Sequence, residues 1–71
     1  MLSKKMEKAF NDQIKWEYYS AYLYLSLSAY FQGLGLPGFA NWMEVQTQEE
    51  LFHGTKLFRY VNEKGGRIQL Q

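Results

Sequence analysis

The strongest constraint on the fold is a short break in the middle of the chain, Gly33-Leu34-Gly35-Leu36-Pro37-Gly38. Glycine commonly follows the last turn of a helix, and proline commonly occupies the first turn of the next one. The break therefore predicts two long helices, at about residues 3–32 and 37–64, joined by a turn at residues 33–36. This is an all-α fold, a two-helix antiparallel hairpin.

After the second helix, Gly65-Gly66 predicts a stop, and residues 65–71 alternate polar and apolar side chains as an extended tail does. We interpret residues 1–71 as one domain. A chain of 71 residues is marginally stable alone. Its first helix also carries Trp16, Tyr19 and Leu23 on a side that a single helix partner cannot cover. A further helix or subunit is therefore expected to pack there.

Composition excludes several classes of function. The chain has no cysteine, so any metal must bind to oxygen and nitrogen ligands. Its net charge of +1 comes from interspersed charges rather than from the basic patch that nucleic acid requires. No apolar stretch is long enough to span a bilayer, and no signal peptide is recognisable. We expect a soluble, cytoplasmic protein that binds neither nucleic acid nor membrane.

Helical periodicity places acidic residues among apolar ones. Alternating steps of four and three predict one seam on each helix. In the first helix the seam is Phe10, Ile14, Glu17, Ala21, Tyr24, Ser28 and Phe31. In the second it is Phe39, Met43, Gln46, Glu50, His53, Leu57 and Tyr60. Counted outward from the turn, Glu17 lies level with Glu50 and His53, so the three side chains are expected to meet.

Carboxylates inside a bundle need a cation, and neither predicted seam contains a lysine or arginine. Carboxylate oxygens with one imidazole suit iron or manganese, and a Glu with a Glu-x-x-His pair is half the ligand set of di-iron bundles. Glu17, Glu50 and His53 are the candidate ligands. The alternative is that Glu17 is a partly exposed helix residue and that the Glu50-x-x-His53 spacing is fortuitous.

Two further residues, Glu49 and Tyr24, each have two possible interpretations. Glu49 is either a ligand of a peripheral metal site or a solvated helix acid. Tyr24 lies two turns from Glu17 on the same seam, where its hydroxyl could bind a ligand carboxylate or supply an electron. Equally, Tyr24 could be a core aromatic residue.

With these residues in place, the sequence resembles the non-haem ferritins of bacteria and archaea along almost its whole length. The matching segments are Phe10-Asn11-Asp12-Gln13, Glu17 to Tyr24, Gly38 to Met43, Gln48 to His53, and Gly65-Gly66-Arg67. The resemblance implies that Glu17, Glu50 and His53 are ferroxidase ligands, with Glu50 bridging two irons. It also implies that Tyr24 lies beside this centre and that Glu49 helps to hold a third iron.

In that family, two ferrous ions are oxidised by oxygen or peroxide, and the ferric product is stored as mineral inside a multi-subunit cage. A ferritin subunit has four long helices, of which this chain matches the first two. We therefore expect a homo-oligomer, at least a dimer. Two copies related by a twofold axis would form one four-helix bundle and one di-iron centre with ferroxidase activity. The alternatives are a fragment of a full ferritin, and a structural or interaction hairpin without the chemistry.

Overall fold

The computed structural model describes residues 2–71, which form two antiparallel α-helices. Helix α1 comprises Lys4–Gly33, and helix α2 comprises Pro37–Glu63. The hairpin measures 49 × 17 × 12 Å. Because one helix with its side chains is about 10–12 Å across, the molecule is two helices wide and one helix thick. The prediction of an all-α hairpin is confirmed.

Local sequence determines where the helices begin and end. The Ser3 side chain accepts a hydrogen bond from the Met6 N–H at 3.1 Å, which caps the start of α1. Gly35 adopts a φ of 73° in the turn, a conformation that favours glycine, and Pro37 occupies the first turn of α2. Gly65 has a φ of 74° just beyond the end of α2. Within residues 2–71, neither helix has an apolar stretch sufficient to cross a membrane.

The interface between the helices is made largely of small side chains. From α1, Ile14 and Ala21 are buried in it, and from α2 Ala40, Met43 and Val61 are. Gly54 is also buried, and a carbon atom added there would meet the Tyr18 ring at 3.1 Å. Small residues let the two backbones approach closely, which is why these positions form the contact.

The seam predicted for α2 divides between the helix interface and the exposed side of the hairpin. Met43 is buried as expected, whereas Phe39, His53 and Tyr60 are exposed. The buried positions are instead Ala40, Met43, Thr47, Gly54 and Val61. The helix is rotated so that its small residues face α1, and its bulky residues move to one edge of the contact.

This rotation creates an unpaired surface, which we call the open face. It consists of two rows with a spacing of seven residues, which keeps each row on nearly the same side of its helix. The rows are Phe10, Glu17, Tyr24 and Phe31 on α1, and Phe39, Gln46, His53 and Tyr60 on α2. Ring pairs join the rows at both ends: Phe10 and Tyr60 have centroids 5.3 Å apart, and Phe31 and Phe39 5.5 Å.

The tail packs against α1 at Asn11. The buried Asn11 side chain donates a hydrogen bond to the Arg67 carbonyl at 2.9 Å and accepts one from the Gln69 N–H at 2.7 Å. Residues 66–71 have no regular secondary structure. The tail therefore contacts α1 at a residue outside the two rows of the open face.

Candidate metal site

Glu17, Glu50 and His53 meet in the middle of the hairpin. One ligand atom from each residue lies within 4.8 Å of the other two. The Nδ1 atom of His53 is 3.7 Å from a carboxylate oxygen of Glu17 and 3.9 Å from one of Glu50. The antiparallel turn brings Glu17 level with α2, and the three-residue spacing puts Glu50 and His53 on one side of their helix.

The two carboxylates are more enclosed than the imidazole. The side chains of Glu17 and Glu50 are 16% and 21% exposed, whereas that of His53 is 52% exposed. Among residues 2–71, no lysine or arginine forms an ion pair with either carboxylate. Two acidic groups therefore lie close together with only an imidazole beside them.

This proximity changes the acidity of both groups. The pKa of Glu50 is raised above its ordinary 4.5, chiefly because its carboxyl shares a hydrogen bond with Glu17, and then because of burial and the neighbouring negative charge. The pKa of Glu17 is lowered because its carboxylate accepts that hydrogen bond and another from Gln13. Opposite shifts of this kind are usual for paired carboxylates, and a bound cation would favour the ionised form of both groups.

Gln13 also contacts the site, although the helical pattern did not identify it as a site residue. Its side-chain N–H donates to a Glu17 carboxylate oxygen at 2.9 Å. The signal was present in the sequence, because residues four apart on a helix are neighbours. Gln13 thus orients one candidate ligand from the exposed side of α1.

The structure leaves Tyr24 and Glu49 outside this cluster. Tyr24 is half-buried on the open face, and in the described part of the chain it shares no hydrogen bond with the three residues. Glu49 is exposed and acts on Glu50 only through its charge. Their expected roles remain predictions.

The cluster fits a first-row metal ion. Carboxylate and imidazole ligands bind such ions at about 2.0–2.2 Å, so two ligands of one ion lie no more than about 4.4 Å apart. The three ligand atoms lie within 4.8 Å of one another, close to that separation. Oxygen and nitrogen donors of this kind suit iron or manganese, and three ligands leave coordination positions open.

A helical hairpin with two glutamates and a histidine on one face corresponds to half of a carboxylate-rich four-helix bundle. The sequence pattern of the family described as "Ferritin-like domain" matches residues 7–71. The chain belongs to the ferritin family. It is 39% identical over its whole length to the bacterial non-heme ferritin of Staphylococcus aureus, and 46% identical over 66 residues to that of Bacteroides fragilis.

Solved structures give the same assignment. The hairpin superposes with a TM-score of 0.97 on a closed form of the Archaeoglobus fulgidus ferritin engineered by site-directed mutagenesis, at 56% identity over all of this chain. A humanized archaeal ferritin matches with a TM-score of 0.97 at 59% identity. The chain covers 43% of the first structure and 44% of the second. It likewise spans 43% of the S. aureus relative and 42% of the B. fragilis relative, less than half of each.

Proposed function

We propose that this chain binds ferrous iron at Glu17, Glu50 and His53 and takes part in its oxidation and storage, as a ferritin does. The observation that carries this proposal is the convergence of the three ligand atoms, from α1 and α2, within 4.8 Å of one another. Membership of the ferritin family supports iron as the substrate.

The site requires a second pair of helices. One hairpin supplies three ligands, whereas a di-iron centre in a carboxylate bundle uses four carboxylates and two histidines. Two copies of this chain, related by a twofold axis through the open face, would provide two each of Glu17, Glu50 and His53. The ring pairs at both ends of the open face would then be buried against the second copy.

The redox balance of the proposed reaction is simple. Oxidation of two ferrous ions releases two electrons, which reduce oxygen with two protons to hydrogen peroxide, or peroxide with two protons to two water molecules. In this proposal the carboxylates of Glu17 and Glu50 bind iron in their ionised form and neutralise the cationic substrate. His53 supplies a neutral nitrogen ligand, and Gln13 keeps the Glu17 carboxylate oriented.

Tyr24 and Glu49 have secondary roles in this proposal. Tyr24 lies one heptad after Glu17 in the same row of the open face, so it would lie beside the closed site as a hydrogen-bond donor or electron source. Glu49 is exposed next to Glu50 and would hold a further iron at the edge of the centre.

The exposed aromatic residues also favour a second candidate function. Phe39 and Trp42 are each 59% exposed, so the hairpin has a surface suited to pairing with helices of a different ferritin chain. In that case the second chain would supply the remaining ligands, or the hairpin would act only as a structural partner. Iron binding by the purified chain distinguishes these roles from the first.

Anaerobic titration with ferrous iron tests the proposal. We expect Glu17→Ala and His53→Ala each to lower the affinity by more than about a hundredfold, because losing even a group that orients a ligand costs about 10–100-fold. Glu44→Ala is the matched control, since Glu44 is exposed on α2 and lies outside the cluster. Equal binding by all four proteins would refute the proposal.

A further inference from the structure

A tyrosine and a glycine lock the helices together directly beside the candidate ligands. The Tyr18 ring lies against Gly54, where an added Cβ would be 3.1 Å from both Cε2 and Cζ of the ring. The Tyr18 hydroxyl and the Thr55 Oγ1 share a hydrogen bond of 3.0 Å in which either group can donate. The ring is therefore held from two sides, by the glycine surface and by the threonine.

Helix propensity does not explain the presence of glycine at position 54. In the interior of a helix glycine is less favourable than alanine, because it loses more conformational freedom. Gly54 lies well inside α2 and is buried. By contrast, Gly38 lies in the first turn of the same helix and has nothing within 4 Å of an added Cβ. Gly54 is thus a position where the close approach of Tyr18 requires the absence of a side chain.

The contact of Tyr18 with Gly54 and Thr55, which we call the lock, is adjacent in sequence to residues of the site on both helices. Tyr18 follows Glu17, and Gly54 follows His53. A shift of one helix against the other that separates the Tyr18 ring from Gly54 therefore also moves Glu17 relative to His53, whose side chains are 3.7 Å apart. The ring cannot swing aside without losing its bond to Thr55.

We infer that Tyr18, Gly54 and Thr55 are positioning residues that fix the separation and height of the two helices at the metal site. Their contact keeps Glu17 within reach of the ligands on α2 while the open face is still unpaired. This inference rests on the proposed function, because it assigns the lock to the orientation of metal ligands.

The test uses the full chain with cobalt(II), whose visible absorption depends on its coordination geometry. We expect Gly54→Ala to lower the cobalt affinity by about 10–100-fold, the range for groups that orient metal ligands, and to change the spectrum. Circular dichroism should show that helical content is retained, because alanine favours helix. Gly38→Ala is the matched control and should bind like the wild type.

A second pair of variants separates positioning from simple damage to the fold. Thr55→Val keeps the shape of the side chain but releases the Tyr18 hydroxyl, and we expect a loss of up to about tenfold with an altered spectrum. Tyr18→Phe keeps the ring against Gly54 but removes the hydroxyl that bonds to Thr55, so it should show a loss similar to that of Thr55→Val. If Gly54→Ala does not fold, the affinity and spectrum of Thr55→Val decide whether these residues position the metal ligands. Wild-type affinity and spectrum in the folded Gly54→Ala variant, or in Thr55→Val when Gly54→Ala does not fold, would overturn the inference.

Failure of the proposed function would give a different result. If the wild type binds no cobalt, the metal proposal fails, and nuclear Overhauser contacts between Glu17 and His53 then test the lock without metal. We expect these contacts in the wild type and in Gly38→Ala, and their loss in Gly54→Ala. Their persistence in Gly54→Ala would show that the lock does not position these residues.

Discussion

The helix interface and the open face of the hairpin differ in how completely they are packed. At the interface, small residues such as Ala21, Ala40 and Gly54 let the backbones approach, and Ile14 and Val61 are almost fully buried. The open face instead presents large rings that remain in contact with solvent. The interface is packed within one chain, whereas the open face combines large apolar side chains with exposure to solvent.

The candidate site lies where these two regions meet. Glu17 and Glu50 are enclosed by the neighbouring helix, but His53 remains half-exposed toward the open face. One hairpin can therefore bring the ligands together but cannot shield them from water. The helix interface thus determines where the ligands lie, and the open face determines how far they are exposed to water.

The largest expected effect on the free energy of unfolding comes from a substitution at the helix interface. Ile14 is 1% exposed, so Ile14→Ala should lower the free energy of unfolding by about 2–5 kcal/mol, through lost burial and the cavity left behind. Leu25→Ala is the control: this side chain is 50% exposed and should cost less than about 0.5 kcal/mol. Urea unfolding followed by circular dichroism measures both. Similar losses in the two variants would mean that the interface is not the main core.

The next effect concerns the open face. If a second copy covers it, Phe39→Ala should weaken self-association by at least about tenfold, because burying such a side chain stabilises by about 1.5–3 kcal/mol. Stability of the single hairpin should change much less, since Phe39 is 59% exposed there. Sedimentation equilibrium over a range of concentrations measures the association constant.

Tyr22→Ala is the control for that experiment. It removes a ring of similar size from a side chain that is 76% exposed near the tail, away from the open face. The second-copy arrangement predicts little change in association for this variant. Equal weakening by Phe39→Ala and Tyr22→Ala would place the contact elsewhere.

Much of this architecture followed from the sequence. The central glycines and Pro37 predicted the hairpin, and an antiparallel turn then made Glu17 level with Glu50 and His53. Their proximity could therefore be predicted by counting. The rotation of α2 could not, because periodicity alone did not distinguish Phe39 and His53 from the adjacent small residues that pack against α1. The contacts of Asn11 with the tail also depend on tertiary structure that a helical pattern does not contain.

The smallest expected effect is a pH dependence that arises from the paired carboxylates. Because the pKa of Glu50 is raised, the folded hairpin keeps a proton above pH 4.5 that the unfolded chain has lost. The contribution of Glu50 to the free energy of unfolding therefore falls as the pH rises from 4.5 through this raised pKa. Glu17 has a lowered pKa, so its contribution is present above pH 4.5 and is lost as the pH falls through the lowered value.

Glu50→Gln tests this pH dependence, since glutamine cannot ionise. The metal-free variant should lose less stability than the wild type between pH 4.5 and pH 7, as measured by urea unfolding at several pH values. Iron binding by the wild type should show the opposite trend and strengthen with pH, because metal ligands must be deprotonated. Identical pH profiles for the two metal-free proteins would contradict a raised pKa of Glu50 in the folded hairpin.

The most direct test of the central claim is the mass of the native particle, measured by light scattering while ferrous iron is titrated in and counted per chain. The account predicts a particle of at least two chains that takes up about one iron per chain, as a symmetric di-iron bundle requires. A monomer, or a polydisperse aggregate that takes up no iron, would contradict it.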